Sequence, residues 1–173
     1  MEKQNETAES SLKTYILENT PARIRERYAH LKEYAQTHTF GALDADVVVL
    51  DTETTGFSFN HDELIQIAAA RMCNGEIVEW YVTFVNPGKE IPDEVAHLTN
   101  IHEEDVADAP DPDTALAGLV DFVGDSLVVA HNVGFDRTFV TKRAAGATLK
   151  NNIWIDSLDL ARIALPRLNS HRL

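Results

Sequence analysis

The chain has 173 residues, 44% of them hydrophobic and 25% charged, which excludes wholesale disorder and supports one ordinary hydrophobic core plus an appendage. No apolar run approaches the length of a membrane span, and the opening MEKQNE lacks the basic start and apolar middle of a signal peptide; a soluble, cytoplasmic protein with no membrane partner is expected. The net charge of −13 argues against a protein that tracks along a duplex, because that needs many phosphate contacts. The charge is unevenly spread: residues 90–136 hold no Lys or Arg, whereas Arg137, Lys142, Arg143, Lys150, Arg162, Arg167 and Arg172 face only Asp156 and Asp159 beyond that point. The basic C-terminal third is compatible with a short or single-stranded nucleic acid.

Residues 1–11 are polar. Thr20-Pro21 then supplies an N-cap and a first-turn proline for an amphipathic helix, with Ile24, Tyr28, Leu31 and Tyr34 or Ala35 on its apolar face, which packs on the main domain or binds a partner. Its Arg23, Arg25 and Arg27 either touch nucleic acid or form a solvated face balanced by Glu26 and Glu33. Val47, Val48, Val49 and Leu50 form a β-branched run too short for a helix, so a buried strand is expected, stopping at a Thr-Gly turn. Strands are expected over 62–72 and 76–85, and Asn74-Gly75 between them signals a tight antiparallel hairpin. The lone Cys73 falls in an apolar strand pattern and reads as a buried structural thiol. Residues 91–109 read as two short helical turns joined by Thr99-Asn100. Asp111-Pro112-Asp113 opens a helix with the stripe Ala115, Leu116, Leu119, Val120 and Val123, stopped by Gly124. A short strand over 127–130, a helix from about Gly134 to Gly146, a last strand over 153–155 and a helix from Asp156-Ser157 towards Pro166 complete the chain. A hairpin-rich first half followed by β-α-β-α predicts an α/β fold with a mixed sheet flanked by helices.

Two segments carry candidate chemistry. In D-T-E-T-T-G, at the end of the first strand, Asp51 and Glu53 are two residues apart and project to the same side. Such a pair repels itself unless it is protonated or neutralised by a divalent cation, and Mg²⁺ or Mn²⁺ suits oxygen donors best. Standing alone, the hexapeptide reads first as a loop cap with a solvated glutamate. The second segment, His131-Asn132-Val133-Gly134-Phe135-Asp136, follows the 127–130 strand; by itself it reads as a capped helix start with a core phenylalanine.

In order, however, D-x-E-T-T-G after a strand and H-N-x-x-F-D at a helix start resemble the DEDD superfamily of DnaQ-like 3′→5′ exonucleases, which includes the proofreading subunit of bacterial DNA polymerase III. The resemblance runs from Asp46 to the end, which divides the chain into an N-terminal tail and helix (1–44) and an exonuclease domain (45–173). It implies a ribonuclease-H-like fold with a five-stranded sheet and two-metal hydrolysis of DNA or RNA from the 3′ end, in replication or repair, with a DNA polymerase subunit as a possible partner. Asp51, Glu53 and Asp136 would hold the two Mg²⁺ or Mn²⁺ ions; Thr54, Thr55, His97, Leu98, His131, Asn132 and Phe135 would contact the substrate's single-stranded 3′ end. Asn100 stands where the family commonly has Gly, and Asn also adopts left-handed backbone. Asp156 has a family-like place at a strand end, and N-capping also explains it.

The family's third motif, H-x4-D or Y-x3-D on a late helix, supplies a general base and a fourth carboxylate. The one H-x4-D here is His131 to Asp136, inside the second motif, and no Tyr has an Asp four residues on. The expectation is therefore a fragment or a natural truncation with weakened metal binding and low turnover, since a general base contributes roughly 10²–10⁴-fold. Apolar sheet surface should also lie exposed. The alternative from a different class is a catalytically silent module that binds nucleic acid or a polymerase on the same fold; an endonuclease on that fold is a third.

Overall fold

The segment VVVLDTET alternates between two environments, and that alternation organises the sheet around it. In β1 (Val47–Thr54), Val48, Leu50, Thr52 and Thr54 are buried, while Val49 and Asp51 are exposed. The computed structural model describes residues 21–27, 46–165 and 167–173. β2 (Leu64–Cys73) runs antiparallel to β1, and β3 (Glu76–Phe84) antiparallel to β2 through a turn in which Asn74 and Gly75 take positive φ of 52° and 80°. β4 (Leu127–Ala130) lies parallel to β1, and β5 (Trp154–Asp156) parallel to β4. The order is β3-β2-β1-β4-β5, the mixed five-stranded sheet that the sequence predicts.

Helices cover one face of the sheet. The first described helix is α1 (Ala22–Arg27), followed by α2 (Asp93–Thr99), α3 (Glu103–Val106) and α4 (Pro112–Val123). Asp111 caps α4 by accepting the Asp113 and Thr114 amides, with Pro112 in its first turn. Leu116 and Leu119 of α4 meet Val48, Leu50, Ile67 and Val128 from the sheet, and Phe139 and Val140 of α5 (Gly134–Thr141) complete the core. Each such fully buried side chain contributes about 1.5–3 kcal/mol. Tyr81 of β3 donates its hydroxyl to the Ala115 carbonyl at 2.7 Å, and its ring lies so close to Gly118 that a Cβ there would meet the phenolic oxygen at 2.6 Å. Ile65, Ile91, Ile101 and Val106 form a smaller cluster that seats α2 and α3.

Several elements depart from expectation. The helix expected to continue to Gly146 ends at Thr141, and a 3₁₀ helix (Ala144–Asn151) takes over. Between them Arg143 takes extended backbone, and its side chain reaches Glu63 and Asp113. Gly146 then packs directly against the Val140 carbonyl, where any Cβ would collide. The second strand starts at Leu64, not residue 62, because Asp62 and Glu63 belong to the preceding loop. The last strand is displaced by one residue, and α6 (Ser157–Ala164) follows it directly. Cys73 is half-buried because it closes β2 at the hairpin turn. On α1 Ile24 is buried and Arg23 is exposed; Tyr28, Leu31, Tyr34 and Ala35 lie outside the described residues.

Among the described residues, the opposite face of the sheet is open along β3 and beside Val49. Trp80 is 64% exposed and Val82 58%, in line with Val49 through the pairs Val49–Ala70 and Ala70–Trp80. A shallow apolar cavity of about 260 Å³ lies there between Val49, Met72, Ile77 and Trp80. Among the described residues, no helix is long and apolar enough to cross a membrane.

Candidate active site

The chemistry-bearing residues collect where the parallel strands end. Val49 of β1 pairs with Val129 of β4, so Asp51 and His131 follow at the same level two residues on, and Asp156 closes β5 beside them. Ligands of open α/β sheets bind at such carboxyl ends. The register of β1 shifts between Glu53 and Thr54, a bulge that ends the regular pairing at the site.

Asp51 and Glu53 share the open face, as their spacing requires. Burial pushes the Asp51 carboxyl above its ordinary value, against the opposing pulls of the Thr52 backbone and the nearby His131. Burial raises Glu53 too, and the Asp51 charge adds to the rise. Asp136, in the first turn of α5, is buried and pushed up to about 6: burial dominates, the Thr52 hydroxyl opposes it, and the Asp51 charge reinforces it.

Asp136 does not converge fully with the other two carboxylates. Thr52 lies on the covered side of β1 and donates its hydroxyl to Asp136 Oδ1 at 2.8 Å, which holds that carboxylate towards the core. Among the described residues, no group of three or more His, Cys, Asp or Glu is placed to hold a metal ion. The expected three-carboxylate metal set is thus present as a pair with a third member beside it. Its chemistry still fits a hard divalent cation: all donors are oxygen, and all three carboxyls are raised by a low-dielectric, self-repelling setting that a cation would relieve.

Two cavities flank the carboxylates. One, of about 330 Å³, is lined by Glu53, Thr54, Phe57, Val95, Leu98 and Phe135. Phe57 stands at its rim, 82% exposed, its ring centre 6.1 Å from that of Phe135; Phe135 in turn packs on Phe59 at 6.0 Å and Phe139 at 4.9 Å. The other, of about 810 Å³, is lined by Asp51, His131, Asn132, Arg162, His171 and Arg172, so basic groups from the C-terminal third share a cavity with Asp51.

The remaining sequence candidates divide. Leu98 and Thr54 line the first cavity, whereas His97, on the same turn as Leu98, is exposed and does not. Thr55 was expected at the 3′ end but is buried: its hydroxyl donates to Asp62 at 3.0 Å and accepts the Glu63 amide. The Thr54 hydroxyl likewise turns inward, to the Gly56 carbonyl. His131 Nδ1 lies 3.0 Å from the Ser157 hydroxyl. Asn132 takes left-handed backbone (φ 63°), and its amide donates to Asp156 Oδ1, which also caps α6 through the Leu158 amide. Asn100 is left-handed as well (φ 55°), so it supports the α2–α3 turn in the place of glycine. Sequence reasoning missed Phe57 and Thr52. The aromatic pair of Phe57 and Phe59 in a polar loop directly after Gly56 was the available signal for the first; Thr52 carried none.

The exonuclease family model RNase_T matches residues 48–173. The chain belongs to the RNase_T exonuclease family. It is 41% identical over 134 residues to a PolC-type DNA polymerase III of Clostridium perfringens, covering 76% of this chain and 9% of that protein. With its Bacillus cereus counterpart it shares 36% over 142 residues, covering 81% and 10%. The chain thus spans about a tenth of the length of these polymerase relatives. Among solved structures, exonuclease X in complex with 5′-overhanging duplex DNA aligns with a TM-score of 0.55 and 25% identity, over 72% of this chain and 68% of the other. Escherichia coli exonuclease I in complex with a 5cy-dA13 oligonucleotide aligns with a TM-score of 0.60 and 20% identity, over 71% and 31%, and shares the fold. Membership of the RNase_T exonucleases bears out the DEDD, DnaQ-like resemblance and makes the domain a nuclease hydrolase by family.

Proposed function

We propose that this RNase_T domain is a 3′→5′ exonuclease that releases nucleotides from unpaired DNA ends, with Mg²⁺ or Mn²⁺ held by Asp51, Glu53 and Asp136. The observation that carries this reading is the placement of Glu53 at once in the carboxylate pair and in the wall of a cavity with an aromatic side. A terminal nucleotide whose base packs against the aromatic side formed by Phe57 and Phe135 would present its phosphate to that pair. Leu98 would bound the base from the α2 side, and Arg162 and Arg172 would attract the phosphates that follow. When bound, the divalent cations supply charge neutralisation and water activation. The polymerase relatives and the DNA complexes favour DNA, and PolC-type similarity favours work beside a replicative polymerase.

A second reading, a module that binds DNA ends without turnover, has one observation in its favour: among the described residues no group of three or more His, Cys, Asp or Glu is placed to hold a metal ion. One experiment separates the two. A 5′-labelled single-stranded DNA and a matching RNA are incubated with the chain and Mg²⁺ or Mn²⁺, alongside Asp51→Ala. A ladder shortened from the 3′ end, stronger on DNA and absent for Asp51→Ala, is expected. A folded protein that shifts the oligonucleotide on a gel without shortening it would overturn the enzymatic reading in favour of the second.

A further inference from the structure

The loop of residues 55–63 carries Phe57 and Phe59 between β1 and β2. Its neck is closed by the Thr55 amide donating to the Glu63 carbonyl at 2.8 Å. The Asp62 carboxylate braces it from within, accepting from the Ser58 amide (2.9 Å), the Thr55 hydroxyl (3.0 Å) and the Lys89 ammonium (3.3 Å). Phe57 itself has no polar group to anchor it, so its place at the cavity rim depends on how firmly this backbone is held.

Lys89 holds the loop from one side, through the His61 carbonyl and Asp62, and Lys142, just past the end of α5, ties it to that helix. An ammonium has three hydrogens, and here it meets three acceptors: the carbonyls of Phe59 (3.5 Å) and Asp62, and the Glu63 carboxylate (3.3 Å). The same ammonium lies 4.7 Å from the centre of the Phe139 ring, which packs on Phe59 and Phe135. Only 17% of the Lys142 side chain is exposed. A lysine that merely solubilises a helix end keeps its head in water; this one turns it into the loop. Arg143 grips the same Glu63 carboxylate at 3.0 Å.

We propose that Lys142 is a positioning residue that clamps the 55–63 loop onto α5, so that Phe57 and Phe135, packed on each other at a tilt of 60°, stand preset as an aromatic wall for a single unpaired 3′-terminal base. This rests on the reading that the cavity beside Glu53 takes the terminal nucleotide. A base reaches such a wall only after leaving its pairing partner, and what compensates for that is its contact with the aromatic side of the cavity. A preset wall supplies that contact in full, while a loosened one supplies less and must be ordered on binding. Lys142 therefore governs the preference for unpaired over paired ends, although it touches no substrate.

The test uses the whole chain and a single-stranded DNA with 2-aminopurine as its 3′-terminal base, whose fluorescence reports stacking, in Ca²⁺ and separately without divalent ions. Wild type should quench it saturably. Lys142→Met should bind the terminal probe about tenfold more weakly, with Lys142→Arg in between. In cleavage assays, the Lys142→Met ratio of kcat/KM for unpaired over paired ends should fall by a similar factor, mainly through KM. Failure of wild type to quench would overturn the terminal-base reading of the cavity. Quenching by wild type and an equal affinity of Lys142→Met, with equal melting temperatures, would overturn the role of Lys142 alone. Should Lys142→Met not fold, Glu63→Gln and Lys142→Arg decide, and wild-type stacking in both would overturn the proposal.

Discussion

On the covered face of the sheet Val48 and Leu50 meet Leu116, Leu119 and Phe139; on the open face, in the same strand, Val49, Asp51 and Glu53 lie beside Trp80 and Val82. One eight-residue strand serves both sides because its side chains alternate. The covered face is filled by side chains that interlock and by polar groups that find partners, such as Tyr81 on the Ala115 carbonyl. The open face holds carboxyls raised above their ordinary values and large apolar groups left in water. Stability is concentrated on one side and reactivity on the other, so residues one position apart in β1 answer to different demands.

Three substitutions would break or sharpen that division. Phe139→Ala, on the covered face, should destabilise by about 3–5 kcal/mol, read as a lower urea midpoint, since it empties a fully buried ring site. A loss below about 1 kcal/mol would mean that the core tolerates voids its packing does not suggest. Asp136→Asn, at the junction of the two faces, should do the opposite to stability while abolishing cleavage. In the unfolded chain this carboxyl ionises near 3.8, and in the folded protein near 6. Below about pH 4 it is protonated in both states and stability is unaffected. Between pH 4 and 6 the unfolded chain gives up the proton that the folded one keeps, so stability falls as pH rises, and above 6 the whole penalty persists. That penalty is on the order of 2–3 kcal/mol. Without divalent ions at pH 7, Asp136→Asn should melt higher than wild type, and the gain should vanish near pH 4; no gain at pH 7 would show that Asp136 is not strained by burial. Trp80→Gln, on the open face, should change stability by about 0.5 kcal/mol or less while reducing concentration-dependent association in sedimentation velocity. A large destabilisation there would mean that the open face is a core in solution.

Much of this was legible beforehand. The apolar run 47–50, the Asn74-Gly75 turn and the Asp111-Pro112 cap are local signals, and strands, hairpin and helix stand where they point. The two motif segments meet as expected, because β1 and β4 are parallel neighbours whose ends coincide. What escaped was decided by contacts distant in sequence. The hydrogen bond that Asp136 accepts from Thr52, 84 residues away, had no signal in either motif. The helix expected to reach Gly146 stops early because Arg143 turns out to Glu63 and Asp113, and a charge pattern along one helix does not reveal a partner on another element.

The parallel pairing of β1 with β4 also sets when the site comes into being. Antiparallel β1, β2 and β3 are joined by short connections and form from local contacts, whereas Val47 finds Leu127 only after the intervening chain has closed into a loop of some eighty residues. Long-range pairings of this kind come late in folding. Asp51 and Glu53 are therefore assembled early, but they meet Asp136, His131 and Asn132 only at the last closure. A nascent or partly folded chain holds half of the proposed site, so on that reading hydrolytic power arrives together with the finished core.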